Sequence, residues 1–246
     1  MGEELLQEPT PRIVRNVINS IPQVVEIPIY ENVMKVDGSV LKSLDRFLYL
    51  TGCRISEAVT TPRKPYESAA KGLVAPRTTG GELTLSYGKY GEEDAALFGF
   101  KTLKKKTGID RVVALPLSPK VEPWTQFVVN TWRGGNPYKL SRHVAYQANK
   151  IIFAGLGYIV EDQLVKDRKG NTLFEAPRHM KRSSDHFLRH VRSRELTMSY
   201  GFSDNDLMTF FGWSPVSFGK NPYMQRYQNL RWQDYFPKLL RASAGL

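Results

Sequence analysis

The sequence predicts an α+β fold, mainly helical, with one small antiparallel three-stranded sheet. Apolar residues recur at helical spacing from Val40 to Leu50. Three β-rich runs then lie between Leu83 and Leu117, separated by turn residues. From Pro119 onward the periodicity is again helical.

Residues 1–38 read as an N-terminal arm or linker, because Pro9, Pro11, Pro22 and Pro28 interrupt every short apolar run. A brief helix over residues 12–18 fits between them. Asp37-Gly38-Ser39 is a loop and cap signal. Residues 40–59 form the first strong helical region, broken at Thr51-Gly52. Residues 60–81 are rich in Pro, Gly, Thr and Lys and read as a long loop. Strands are expected over 83–87, 95–103 and 110–117, with a turn at 104–108. Helices are expected over 121–132, 141–153, 184–200 and 204–211. A last helix runs from Met224 to about Leu240 and breaks before Pro237. Residues 168–171 make a turn. This organisation places one domain over residues 39–246.

The charge balance narrows the partners. Lys and Arg number 35 against 24 Asp and Glu, a net charge of +11. Each phosphate neutralised by such a surface releases condensed counterions, which favours nucleic acid over other partners. An anionic membrane is the weaker fit, and no apolar run approaches the ~18 residues of a membrane span. The N-terminus is acidic and polar, unlike a secretory signal. The single cysteine, Cys53, permits no intramolecular disulfide, which fits a reducing cytoplasmic compartment. The four histidines show no metal-ligand spacing, and no metal or other cofactor is expected.

Phosphoryl transfer between DNA strands needs cations on the non-bridging oxygens, an acid for the leaving oxygen, and an in-line nucleophile. Arginine suits the first task because its planar fork binds phosphate oxygens in pairs. Arg54 follows a helix-breaking glycine in Thr51-Gly52-Cys53-Arg54-Ile55-Ser56-Glu57-Ala58. His186 and Arg189 lie three apart in His186-Phe187-Leu188-Arg189-His190 and so share one helical face. Gly212-Trp213 comes next, followed by Tyr227 in Met224-Gln225-Arg226-Tyr227-Gln228-Asn229-Leu230. Tyrosine titrates near pH 10, so attack at neutral pH needs cationic neighbours or a proton acceptor. Taken singly, these residues also suit a surface loop, a solvated basic face and a rim aromatic.

In order and spacing, these elements resemble the tyrosine recombinases, the phage-type integrase family. TGCRISEA resembles the family's first arginine box almost letter for letter, and HFLRH its second box. Gly212-Trp213 matches its G-H or G-W element, and MQRYQNL resembles its nucleophile segment. The resemblance implies that Arg54 and Arg189 bind the scissile phosphate. It implies that His186 contacts a phosphate oxygen or assists proton transfer, and that Trp213 packs near the nucleophile. Tyr227 would attack, leaving a 3′-phosphotyrosyl link and a free 5′-hydroxyl. The family's hairpin lysine maps to Lys106, five residues before Arg111 and the apolar strand that ends at Pro116; Lys101 is the alternative. Double-stranded DNA and self-association as a tetramer on DNA are the implied partners.

Three departures accompany the resemblance, one of them the unusually polar, proline-rich loop after Glu57. The gap from Trp213 to Tyr227 exceeds the family's usual spacing, so Tyr223 competes for the nucleophile's role. Residues 1–38 are too short for the helical domain that clamps the far side of DNA, which fits either a fragment or a minimal recombinase. Two other activities fit the same residues: DNA relaxation of the type IB topoisomerase kind, and non-catalytic DNA binding by a basic protein.

Overall fold

Thr10 opens the first helix, α1 (Pro11–Asn19), by accepting the Ile13 N–H on its hydroxyl, with Pro11 at a position where no N–H is needed. Strands β1 (Val24–Ile29) and β2 (Asn32–Asp37) follow as an antiparallel hairpin, with Val25 opposite Val36 and Pro28 opposite Val33. These features come from a computed structural model, which describes residues 9–29, 32–59, 66–68, 72–74, 83–100, 111–159, 164–166, 172–175, 180–182, 185–213 and 231–241.

The segment expected to be an arm thus carries regular structure that packs on the rest of the chain. Val14, Ile18, Val25 and Ile27 are all buried in the core. Proline does not prevent this. Pro11 begins a helix, and Pro28 sits in a two-stranded hairpin whose outer edges need no ladder hydrogen bond.

Helix α2 (Gly38–Thr51) is the centre of the molecule. Asp37 caps it by accepting the Ser39 N–H at 2.8 Å. Leu41, Leu44, Phe47, Leu48 and Leu50 are buried, so nearly the whole circumference faces protein. The one-turn helix α3 (Ile55–Ala58) follows after Gly52. Within the stretch expected to be a long loop, β3 (Tyr66–Ser68) and β4 (Gly72–Val74) form a short antiparallel pair.

The expected three-stranded sheet is present. β5 (Leu83–Tyr90), β6 (Glu93–Phe100) and β7 (Arg111–Pro116) are antiparallel, with β6 in the middle. Its register sets Leu83 against Phe100, and Phe100 against Arg111. One face packs on α2 through Phe98, whose ring lies 5.0 Å from that of Phe47, edge to face.

Helices α4 (Pro123–Thr131) and α5 (Arg142–Ile152) lie within a residue or two of their expected bounds. β8 (Gly157–Ile159) pairs with β11 (Met180–Arg182), and β9 (Leu164–Lys166) with β10 (Thr172–Glu175). Periodicity did not reveal these strands, because runs of three or four residues are too short to show a period. α6 (Asp185–Tyr200) and α7 (Asp204–Phe211) follow. The last helix, α8 (Trp232–Arg241), runs through Pro237 instead of breaking before it. Buried Tyr235, Phe236 and Leu239 hold it to the sheet, and the Tyr235 hydroxyl accepts the Ala114 N–H at 2.8 Å. This packing offsets the hydrogen bond that a proline removes. Among the described residues, no helix is long and apolar enough to cross a membrane.

A buried ionic cluster ties α1 to the other helices. Arg15 donates to both oxygens of Glu122, at 3.0 and 2.8 Å, and lies 3.6 Å from Glu195. Glu195 also receives Arg192, one turn earlier on α6, and the Tyr49 hydroxyl at 2.9 Å. The guanidinium of Arg15 stacks on Trp124 at 4.6 Å. Burial alone would push the Glu195 carboxyl upward. Arg192 and Arg15 outweigh it and hold the group below the usual carboxylate range.

Candidate active site

Helix α2 ends because Gly52 takes the left-handed conformation, at φ +58°. A side chain could not follow it there. A Cβ at this position would stand 2.0 Å from Cε1 of Phe211, the last residue of α7. The loop after α2 and the end of α7 therefore touch backbone to ring. Arg54 leaves that loop in extended conformation and precedes α3.

Arg189 fills the seam between these two chain ends. It projects from α6 and is buried. Its Nη1 donates to the Gly52 carbonyl and its Nη2 to the Phe211 carbonyl at 2.9 Å. Both acceptors are carbonyls freed where helices end. Gly212, at φ +62°, turns the chain out of α7 and brings Trp213 back over Phe211. The two rings stack with centroids 4.6 Å apart and planes 19° apart. The Arg189 guanidinium carbon lies 4.7 Å from the Phe211 ring and 5.2 Å from that of Trp213.

Glu57 organises the arginine side. Its Oε2 accepts the Arg54 backbone N–H at 2.9 Å and Arg111 Nη2 at 3.1 Å, while Oε1 accepts Arg54 Nη1 at 3.2 Å. Arg111 is the first residue of β7, and its guanidinium carbon lies 4.3 Å from the Phe100 ring. The pair that closes the hairpin between β6 and β7 is thereby fastened to the carboxylate beside Arg54. Of the three arginines, Arg111 and Arg189 are buried and Arg54 is partly open, with 37% of its side chain exposed.

Two guanidinium groups, those of Arg54 and Arg111, thus pair with one carboxylate, and the charges of both act on Arg189. Burial tends to raise the Glu57 carboxyl, but Arg111, the Arg54 N–H and Arg54 itself hold it below the usual range. Arg189 shows the converse. Burial first, then the charges of Arg111 and Arg54, push its guanidinium down to about 9. A cation disfavoured by its neighbours in this way is stabilised by an incoming anion. Cys53, within the same loop, is buried, and burial followed by the nearby Glu57 charge pushes its thiol up to about 12. It stays a neutral core group at physiological pH, not a nucleophile.

Of the residues singled out in the sequence, Arg54, Arg189 and Trp213 meet at this seam. His186 lies on α6 one turn before Arg189, and its side chain falls outside the described residues. Lys106, Lys101, Tyr227 and Tyr223 lie outside them too. The chain leaves for the lysine segment from Phe100 and returns at Arg111, and it leaves for the tyrosine segment from Trp213. Glu57 and Arg111 were not anticipated as site residues. Glu57 has a sequence signal, since it stands three residues after Arg54 at the spacing by which an acidic side chain reaches back to a helix start. Arg111 has one only as a landmark, five residues after Lys106 and before an apolar strand, with no site role attached to it. Among the described residues, no group of three or more His, Cys, Asp or Glu side chains could hold a metal ion.

No family model, no curated protein and no solved structure matches this chain.

Proposed function

We propose that this chain is a tyrosine recombinase catalytic domain that breaks and rejoins double-stranded DNA through a 3′-phosphotyrosyl intermediate. The observation that carries the reading is the meeting of Arg54, Arg189 and Trp213, from three distant parts of the chain, in a seam with surplus positive charge. Separate solvated basic faces would have no reason to converge.

In this reading Arg54 and Arg189 hold the non-bridging oxygens of the scissile phosphate. Arg189 is preorganised, because two backbone carbonyls and two rings fix its guanidinium before DNA arrives. Arg54 is the more exposed partner and meets the phosphate from the solvent side. The Tyr227 oxygen attacks phosphorus, and the bond to the 5′-oxygen breaks. Lys106 passes a proton to that leaving oxygen, and His186 assists proton movement at the phosphate. Rejoining is the reverse attack by a 5′-hydroxyl. The covalent link conserves the phosphodiester energy, so the reaction draws on no nucleotide cofactor. Strand exchange would proceed in a tetramer assembled on DNA.

The test is a suicide duplex, nicked so that the cleaved fragment diffuses away and the protein–DNA adduct accumulates. Wild type should form an adduct, with mass spectrometry placing the DNA on Tyr227. Tyr227→Phe should abolish it while DNA binding persists, and Tyr223→Phe should retain it. DNA attached to Tyr223 would move the nucleophile but keep the reaction. Cleavage with no modified tyrosine would remove the mechanism.

A further inference from the structure

Glu57 divides its two oxygens between an open arginine and a buried one. Oε1 accepts Arg54 Nη1 at 3.2 Å. Oε2 accepts Arg111 Nη2 at 3.1 Å together with the Arg54 backbone N–H at 2.9 Å. Among the described residues, no acceptor meets Arg54 Nε or Nη2, the donors left for a phosphate oxygen. The direction in which Arg54 points is therefore set by where Glu57 holds its carboxylate.

Local structure fixes Glu57 only weakly. α3 is four residues long, a single turn that gains little from its own hydrogen bonds. Arg111 supplies the missing constraint from the sheet. The β6–β7 register holds its backbone opposite Phe100. Its side chain is 4% exposed, with the guanidinium carbon 4.3 Å from the Phe100 ring. Charge balance does not explain the contact, because Arg54 already donates twice to Glu57. Burying a second guanidinium there costs desolvation, and its Nε is buried with no hydrogen-bond partner among the described residues. An ion pair kept for stability alone has no reason to carry that cost.

We propose that Arg111 is a positioning residue for DNA cleavage: it holds Glu57 against the sheet, and Glu57 aims Arg54 at a non-bridging oxygen of the scissile phosphate. The proposal rests on the recombinase reading given above. Burial keeps Arg111 itself off the DNA, so its effect passes through Glu57 and Arg54. A misplacement of about 1 Å at a reacting group costs on the order of a hundredfold in rate. Losing Arg111 should therefore slow the step that needs Arg54, which is stabilisation of charge on the phosphate oxygens. Protonation of the leaving oxygen should be untouched.

The experiment measures single-turnover adduct formation by the full chain on three suicide duplexes. The first has the ordinary scissile phosphate. The second replaces a non-bridging oxygen with a methyl group, which removes the negative charge that Arg54 meets. The third replaces the 5′-bridging oxygen with sulfur, which leaves as a thiolate without a proton, since thiols titrate near 8.5. R111M should form adduct about a hundredfold more slowly than wild type on the ordinary and sulfur duplexes. On the methyl duplex most of that gap should close. R54A should follow the same pattern, and a different one overturns the route through Arg54. R111K keeps a cation beside Glu57, and with it the fold, but lacks the planar fork that packs on Phe100. It should show the same pattern with a loss of about tenfold, and it carries the test if R111M does not fold. An equal loss on all three duplexes means a structural role and overturns the proposal. A loss cured by sulfur also overturns it, because the effect would then lie on the leaving oxygen, as do wild-type rates in both variants. Wild type that forms no adduct on any duplex removes the recombinase reading and this proposal with it. Wild-type adduct with the wrong pattern in the Arg111 variants removes this proposal alone.

Discussion

Arg189 donates to the carbonyl of Gly52, so the second arginine box holds the backbone from which the first emerges. The two cations are 135 residues apart in sequence, yet one hydrogen bond sets their relative position. This contact makes Arg189 the residue whose chemistry bears most on the site.

Arg189→Lys should lower adduct formation by about a hundredfold or more, the effect of removing a preorganised donor at a reacting phosphate. An ammonium cannot reproduce the fork that reaches both the Gly52 and Phe211 carbonyls. DNA binding should fall far less, since many phosphate contacts share it. Single-turnover trapping beside a binding titration checks the difference, and equal losses in the two would count against a site role.

DNA affinity should also fall as pH rises through about 9. Folding lowers the Arg189 pKa from its ordinary value to about 9, by burial first and then by Arg111 and Arg54. A cation whose pKa falls on folding opposes the folded state wherever it is charged. That penalty is fully present below about pH 9 and is relieved as pH rises through and above it. A bound phosphate favours the charged form, so binding is tightest while Arg189 keeps its proton. Anisotropy titrations from pH 7 to 10 at constant ionic strength should show the decline in wild type and a smaller one in Arg189→Gln.

Glu57→Gln should destabilise the fold by about 3 kcal/mol, the usual scale for removing one partner of a buried ion pair. Two buried arginines would then lie near each other without their carboxylate. The Glu57 pKa is lowered in the fold, so its contribution is present above the unfolded value of about 4.3 and is lost as pH falls through the folded value. Urea unfolding of wild type and variant should therefore differ at pH 7, and the gap should shrink only as pH falls below the unfolded carboxylate value and through the lower folded one. A constant gap across that range would show that the carboxylate charge is not the cause.

Gly52→Ala should destabilise by about 3 kcal/mol. The left-handed backbone contributes roughly 1–2 kcal/mol, and overpacking against Phe211 supplies the rest. Adduct formation should fall further than stability alone explains, because relieving the clash moves the Gly52 carbonyl away from Arg189. Phe211→Ala in the same chain should recover part of the stability lost at Gly52, since it removes the atom that the new Cβ meets. If that pair is strictly additive, the two residues are not coupled as the geometry requires.

Arg15→Met should destabilise by about 3 kcal/mol, because Glu122 keeps its burial and loses its bidentate partner. A chain shortened to begin after Ser20 should fail to give a cooperative thermal transition. It loses buried Val14 and Ile18 together with Arg15. A truncated protein that melts with wild type would return this segment to the status of an arm.

Local pattern by itself determined most of the helices, the three-stranded sheet and the order of the charged motifs. The bounds of α7 match their expectation because Ser203 and Gly212 mark both ends chemically, and β5–β6–β7 stand out because turn residues separate their β-rich runs. The family resemblance followed from the same source, a linear arrangement of Arg54, His186, Arg189, Trp213 and Tyr227. Tertiary contacts decided what no window of sequence contains. Proline signals describe residues 1–38 as an arm or linker, but within it Arg15 and a buried hairpin bind the chain to α2, α4 and α6. Pro237 signals a helix break, yet packing of Tyr235 on β7 carries α8 through it. Arg111 joined the site only because the sheet register sets it beside Glu57. The physical reason is the range of each effect. Propensity, capping and periodicity act over a few residues, whereas burial and ion pairing depend on which distant groups the folded chain removes from water together.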